Sequence, residues 1–394
     1  MQFQYVERSK TFGVINMNAR LLILGVILAI FIVLFNLLAP KTKNEVSFQE
    51  GIFDQAIVSK IDANSRIYPD KTEISLAVIL GDSVQYLGIR KEGHSLVSIK
   101  NEDKLFEIGS ISKVFLTTLL TICLEQGYLE LDDPIQEHLP IELSEYELAG
   151  QAVLIQHLAN HTSGIHALPE GLIKDYEYEI SDEDEIAIVS KYLSQNCTYD
   201  FKPGSSYAYS NLGMSLLCMI VCDKLGGDFE SLVDYHIGRQ IGLENTVVNL
   251  SPAQRQQMVV GYNEMGAVAP LIISDLYVCS GSLKSSTRDM VKFVKANMDD
   301  LAPFVWSHDK TYEIDEDYDV ALGWHYSKMH AERVYYHHGG TMGYSSGIAF
   351  EKDNKVGIVV LTNISALLKD RPDITKLMYD LFGQIEQKIA RVNT

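Results

Sequence analysis

The chain has 394 residues, 46% of them apolar and 22% charged, which is the composition of a globular protein with ample material for a core. Its 52 acidic side chains outnumber 33 basic ones, and the net charge of −19 argues against nucleic acid or another polyanion as a partner. Five cysteines, Cys123, Cys197, Cys218, Cys222 and Cys279, show no C-x-x-C spacing and read as core thiols, with neither a disulfide framework nor a metal knuckle.

In chain order, the first element is LLILGVILAIFIVLFNLLA, Leu21 to Ala39, an uncharged run long enough to span a bilayer. A cleaved signal peptide, which would leave a secreted form, is the alternative. The run is longer than the apolar part of such peptides, however, and Leu-Leu-Ala-Pro-Lys offers no small-x-small cleavage site. A retained transmembrane anchor over residues 21–39 is therefore expected. Arg8, Lys10 and Arg20 before it against Lys41 and Lys43 after it place residues 1–20 in the cytoplasm and the rest of the chain on the periplasmic or extracellular side. Residues 40–46 form a linker, and 47–394 one further domain. Ser47 to Ile61 has apolar residues at helical spacing, and EISLAVILGDSVQYLGI, Glu73 to Ile89, reads as two strands joined at Gly81-Asp82-Ser83.

In FEIGSISKVFLTTLLTICLEQGYL, Phe106 to Leu129, a Gly-Ser pair opens a helix that is apolar nearly all round and therefore buried. If the helix begins near Ser110, Ser110 and Lys113 share one face. Burial would disfavour the ammonium form of Lys113 and leave a base beside a hydroxyl. Alone, the same pair reads equally as a serine N-cap with a snorkelling lysine, and Ser307 and Lys310 repeat the spacing in an acidic stretch.

His157, His161 and His166 have no H-E-x-x-H pattern around them and read as structural rather than metal-binding. The acidic stretch Asp175 to Glu185 reads as a solvated loop. YAYSNLG carries the chain's only Tyr-x-Asn, Tyr209 and Asn211, ahead of an apolar helix from Met214 to Leu225 closed by Gly226-Gly227. A phenol and an amide at such a junction can enter one cleft, the first to move protons and the second to orient a carbonyl. A further helix is expected over Ser286–Met298.

YYHHGGTMGYSSG then supplies His337, His338, Gly339 and Gly340, where glycines permit close approach and backbone N–H groups can serve an oxyanion. Gly343-Tyr344-Ser345-Ser346-Gly347 fits G-x-S-x-G, but a strand follows it and no histidine lies downstream of His338, so a nucleophile elbow does not fit. Gly347–Phe350 and Val356–Asn363 form a hairpin turning at Lys352-Asp353-Asn354, and a helix runs from about Asp373 to Ile389. The expected fold is α+β: an antiparallel sheet built from both chain ends (about 47–109 and 320–394), flanked by helices, with a mainly helical region (about 110–319) inserted.

On FEIGSISK, YSN and HHG, with LIQHLANHTSGI, LELDDPIQEHLP, GSLKSSTRDM, ALGWHY and VGIVVLTN in support, the chain resembles the serine β-lactamase and penicillin-binding-protein superfamily. The likeness is to the class C β-lactamase-related group, which includes D-alanyl-D-alanine carboxypeptidases and related esterases and peptidases, and it covers roughly residues 70 to 365. It implies the β-lactamase/transpeptidase-like fold with a site between sheet and helical region. Ser110 would be the nucleophile, Lys113 the residue lowering its proton affinity and Tyr209 the general base or relay. Asn211 would bind the substrate amide, and the N–H groups of Ser110 and Gly340 would form the oxyanion hole beside Gly339. No cofactor and no metal is implied; the partner is a small peptide, ester or β-lactam substrate.

One position departs from the pattern. His337 stands where classical β-lactamases have lysine, and an imidazole is mostly neutral near pH 7. It would bind a substrate carboxylate less firmly than lysine and do less to hold Tyr209 ionised. The expected function is therefore a membrane-anchored serine hydrolase acting on D-amino-acid peptides of peptidoglycan type. An esterase or weak class C-like β-lactamase is the alternative within enzymes, and a catalytically silent membrane-anchored binding or sensor domain the alternative outside them.

Overall fold

The computed structural model describes residues 68–93, 95–168, 185–272, 274–329, 333–368 and 374–392. The chain divides into one unit, Met1–Asn44, and a second, Glu45–Thr394. The apolar run Leu21–Ala39, the linker, the helix expected over Ser47–Ile61 and most of the acidic loop lie outside the described residues. Among the described residues, no helix is long and apolar enough to cross a membrane.

The second unit is organised around nine antiparallel strands: β1 (Glu73–Leu80), β2 (Ser83–Glu92), β3 (Ser95–Ile99), β4 (Tyr312–Glu313), β5 (Tyr318–Val320), β6 (His325–Ser327), β7 (Val334–Gly340), β8 (Ser345–Glu351) and β9 (Val356–Thr362). Their order is β3-β2-β1-β9-β8-β7-β6-β5-β4, so the first and last strands of the chain are neighbours, with Val78 opposite Ile358. Strand periodicity explains why β1 and β9 are apolar without alternation. Ile74, Leu76 and Val78 point to one face and Ala77 and Ile79 to the other, and each face packs into its own core.

On the first face lies the C-terminal helix. It spans Ile374–Val392 and buries Ile374, Leu377, Met378, Leu381, Phe382 and Ile385, the i, i+3, i+4, i+7 stripe of an amphipathic helix. The second face meets the helical region. Its longer helices include α1 (Ser112–Glu125), α2 (Asn211–Leu225) and α3 (Thr287–Met298). Every residue of α1 from Ser112 to Cys123 is buried, as an all-round apolar helix requires, and Phe115 stacks on Phe293 of α3 with centroids 4.0 Å apart. The expected fold is observed, and α2 begins three residues earlier than the apolar pattern indicated because Ser210 caps it, accepting from the Gly213 N–H at 2.9 Å.

Two expectations are corrected. Ser110 is not a helix N-cap: it sits in a 3₁₀ turn, Gly109–Ile111, and α1 begins at Ser112. Nor are all the cysteines thiols, because Cys218 of α2 and Cys279 form a disulfide with Cα atoms 6.0 Å apart. Their placement in apolar segments hid this, since a buried pair 61 residues apart leaves no spacing signature. The bond ties α2 to the turn Val278–Gly281. Replacing both cysteines by alanine should lower stability by about 2–4 kcal/mol, the usual worth of such a crosslink, as read from urea unfolding.

Candidate active site

The chain reaches the site through a short ladder in which Leu105–Glu107 pairs with Lys284–Ser286. This delivers Ile108, Gly109 and Ser110 against β7. The approach is so close that a Cβ on Gly339 would fall 1.9 Å from the Ile108 carbonyl oxygen. Gly109, at φ +50°, has Gly340 N at 2.7 Å from the place its own Cβ would occupy. Ser346 of β8 locks the contact by donating to Ile108 O at 2.8 Å. Only glycine fits at 109 and 339, and the result is that Ser110, Gly339 and Gly340 border one cleft.

Lys113, in the first turn of α1, is fully buried. Its Nζ lies 3.0 Å from Ser110 Oγ and donates to the carbonyl of Ser280 at 2.6 Å. Desolvation holds its pKa well below the ordinary lysine value. A neutral amine has both a hydrogen for Ser280 O and a lone pair for the Ser110 hydroxyl, so this geometry is that of a base set against a nucleophile.

Tyr209 arrives on an extended segment that also carries Tyr207 two residues earlier, hence on the same side of the chain. The Tyr209 ring is 44% exposed to the cleft, while its phenol end meets Ser110. Burial of the phenol end raises its pKa, and the nearby Ser110 side chain opposes that rise without cancelling it. Lys113 Nζ lies 4.9 Å from the centroid of the Tyr209 ring. His161 supports the ring from its other neighbour, with centroids 4.4 Å apart, and its Nδ1 accepts from the Ser210 N–H at 3.2 Å. His161 has φ +60°, a conformation that costs a non-glycine residue energy and persists here because its neighbours hold it. Asn211 opens α2 and is exposed, outside the set of residues lining the cleft.

His337 of β7 is 2% exposed. Its Nδ1 is 2.8 Å from the carbonyl of His338, which can only accept, so Nδ1 carries the proton. Burial, with His325 and Lys113 nearby, holds its pKa well below the ordinary histidine value. The ring is therefore neutral, and Nε2 offers a lone pair with no hydrogen-bond partner among the described residues. His325 of β6 is pushed down to about 4, chiefly by burial, and its Nε2 meets Tyr207 OH at 2.7 Å. Ser110, Tyr209, His337, His325 and Tyr207 line one cleft of about 510 Å³.

The β-lactamase family model matches residues 74–381, and the chain belongs to the β-lactamase family. It is 29% identical over 200 residues to a β-lactamase of Providencia stuartii, covering 50% of this chain and 48% of that one. It is 27% identical over 194 residues to the D-alanyl-D-alanine-carboxypeptidase/endopeptidase AmpH of Escherichia coli K12, covering 49% of each. These alignments span about half the length of the curated relatives. The solved β-lactamase/D-alanine carboxypeptidase of Yersinia pestis shares the fold at a TM-score of 0.69 and 21% identity, over 84% of this chain and 97% of that one.

The structure brings together Ser110, Lys113, Tyr209, His337, Gly339 and Gly340 of the sequence-derived set. The decoys are elsewhere: Ser307 donates to Phe304 O, Lys310 pairs with Glu313, and Ser345 donates to Ile364 O. Three neighbours escaped the sequence reading. His161 was taken only as structural, although it abuts Tyr209. Tyr207 was legible as the second residue of one extended face with Tyr209. His325 stood in ALGWHY with no mark of its chemistry.

The buried amine has a stability consequence. Burial holds the Lys113 pKa in the fold well below its unfolded value, so between the two values unfolding takes up a proton. The fold is thus penalised, and the penalty grows as pH falls from the unfolded value towards the depressed folded one. Lys113→Met should raise the melting temperature at neutral pH, with a larger gain at pH 6 than at pH 9, as read by calorimetry.

Proposed function

We propose that this protein is a serine hydrolase that forms an acyl-enzyme on Ser110 and cleaves D-amino-acid peptides or esters of peptidoglycan type. It would act on the extracytoplasmic side of a membrane, held there by a helix at Leu21–Ala39. The observation that carries the catalytic part is the amine of Lys113, fully buried and 3.0 Å from Ser110 Oγ. The family membership supports it, as does the similarity to a D-alanyl-D-alanine-carboxypeptidase/endopeptidase.

In this reading Ser110 Oγ attacks the carbonyl carbon while Lys113 takes its proton. The developing oxyanion faces the N–H groups of Ser110 and Gly340. Tyr209, its pKa raised by burial, stays protonated near neutral pH, so it acts as a donor that passes a proton to the departing group rather than as a standing phenolate. Water then attacks the Ser110 ester by the reverse route, giving one proton to Tyr209 while Lys113 returns its proton to Ser110 Oγ, so that all three groups are restored. His161 holds the Tyr209 ring in place, and the Ser280 carbonyl holds the lysine.

The test is intact-mass analysis of the full chain with an activated ester, a phosphonate and a penicillin. A mass increase on Ser110 should vanish in Ser110→Ala. Acylation should slow by roughly 10²–10⁴-fold in Lys113→Ala or Tyr209→Phe, the usual worth of a positioned acid or base. The acylation rate should fall as pH is lowered through the depressed pKa of Lys113, since only the neutral amine accepts the proton. Labelling of Ser110→Ala equal to that of the parent would refute the mechanism.

A further inference from the structure

Among the described residues, no lysine, arginine, aspartate or glutamate lines the cleft that holds Ser110. Lys113 is sealed behind it and spends its hydrogen bonds on Ser110 and Ser280. At His337 the imidazole keeps a lone pair on Nε2, because Nδ1–H is committed to the His338 carbonyl, and that Nε2 is a buried polar atom with no hydrogen-bond partner among the described residues, on a residue that lines the cleft. An unsatisfied buried acceptor costs free energy, and a ligand donor recovers it. A carboxylate placed there would set lone pairs against a lone pair.

The loop that borders the lining is acidic, with the Lys328 amine donating to the Asp315 backbone carbonyl at 2.9 Å. Ile314 and Tyr318 line the cleft, and between them run Asp315, Glu316 and Asp317. The nearby lysines are engaged with other carboxylates: Lys310 with Glu313 and Asp319, and Lys328 with Asp319. None of Asp315, Glu316 and Asp317 is in an ion pair among the described residues. Asp315 is close enough to add to the rise in pKa of the Tyr336 phenol, which also lines the cleft. The tyrosine faces are electron-rich, which again suits a cation.

We infer that the part of the substrate lying against His337 presents a hydrogen-bond donor and no carboxylate, so that an ammonium-bearing acyl donor is favoured over a neutral one and a neutral one over an anionic one. This rests on the proposed acyl-enzyme chemistry and narrows its substrate. The class is amides or esters that are uncharged or amine-bearing where they meet β7, such as an internal peptide bond in a chain with free side-chain amines. Removal of a terminal residue whose free carboxylate docks at His337 is disfavoured.

The test uses the full chain and three matched probes that bind a nucleophilic serine reversibly through boron: 3-aminomethyl-, 3-carbamoyl- and 3-carboxyphenylboronic acid. Their inhibition constants are read against hydrolysis of a neutral activated ester. The expected order of affinity is aminomethyl, carbamoyl, carboxy, with ~10-fold between the first and last at low ionic strength and a smaller spread in salt, as partly exposed charges require. Asp315→Asn with Asp317→Asn, both on the exposed loop, should reduce the aminomethyl advantage a few-fold. His337→Lys should reverse the order. If the carboxy compound binds the parent protein as well as the carbamoyl one while the neutral ester still labels Ser110, this inference falls and the proposed function stands. If no ester labels Ser110, the proposed function falls and this inference with it.

Discussion

The site depends on one constraint: a lysine amine is taken out of water and given only a carbonyl and a hydroxyl as partners. The Ser280 carbonyl and Ser110 Oγ satisfy Lys113 Nζ geometrically but supply no negative charge. An ammonium there would lack compensation for its lost hydration, so the amine sheds its proton. Had an aspartate stood near Lys113, the pair would be a structural ion pair, and the proposed mechanism would lack its base for Ser110. The all-round apolar character of α1 is thus a chemical as well as a packing device.

The rest of the fold holds that amine and its surroundings in register. The chain's first and last long strands pair at the centre of the sheet, so the glycine-bearing end of β7 meets the turn before α1 although 230 residues separate Gly109 from Gly339. The contact tolerates no side chain at either glycine. The disulfide fixes the turn carrying Ser280 to α2, which begins two residues after Tyr209. Three elements, each supplying one reacting or supporting group, are therefore joined by backbone contact and one covalent bond rather than by flexible side chains.

Much of this was legible in the sequence because it is local. The strands Glu73–Ile89, the final hairpin, the amphipathic C-terminal helix and the buried α1 follow from periodicity. Ser110 with Lys113, and Tyr209, stood out by spacing and by their junctions. What could not be read are contacts between distant backbones and residues without a pattern. The Ser280 carbonyl lies 167 positions from Lys113, and no residue type announces a carbonyl acceptor. Tyr207 and His325 are 118 apart. His161 sits in a strained turn whose neighbours, not its own identity, give it a place beside Tyr209. The protonation pattern of His337 follows from a hydrogen bond to its own neighbour's carbonyl, which only the strand geometry reveals.

The central claim is that Lys113 is an uncharged amine in the resting protein. Nitrogen-15 NMR of lysine-labelled protein, with the Lys113 signal assigned by its loss in Lys113→Met, measures this directly. The expected result is a Nζ resonance of a neutral amine at pH 8, titrating well below the ordinary lysine value of about 10.4. A Lys113 signal that remains that of an ammonium up to pH 10 would contradict it.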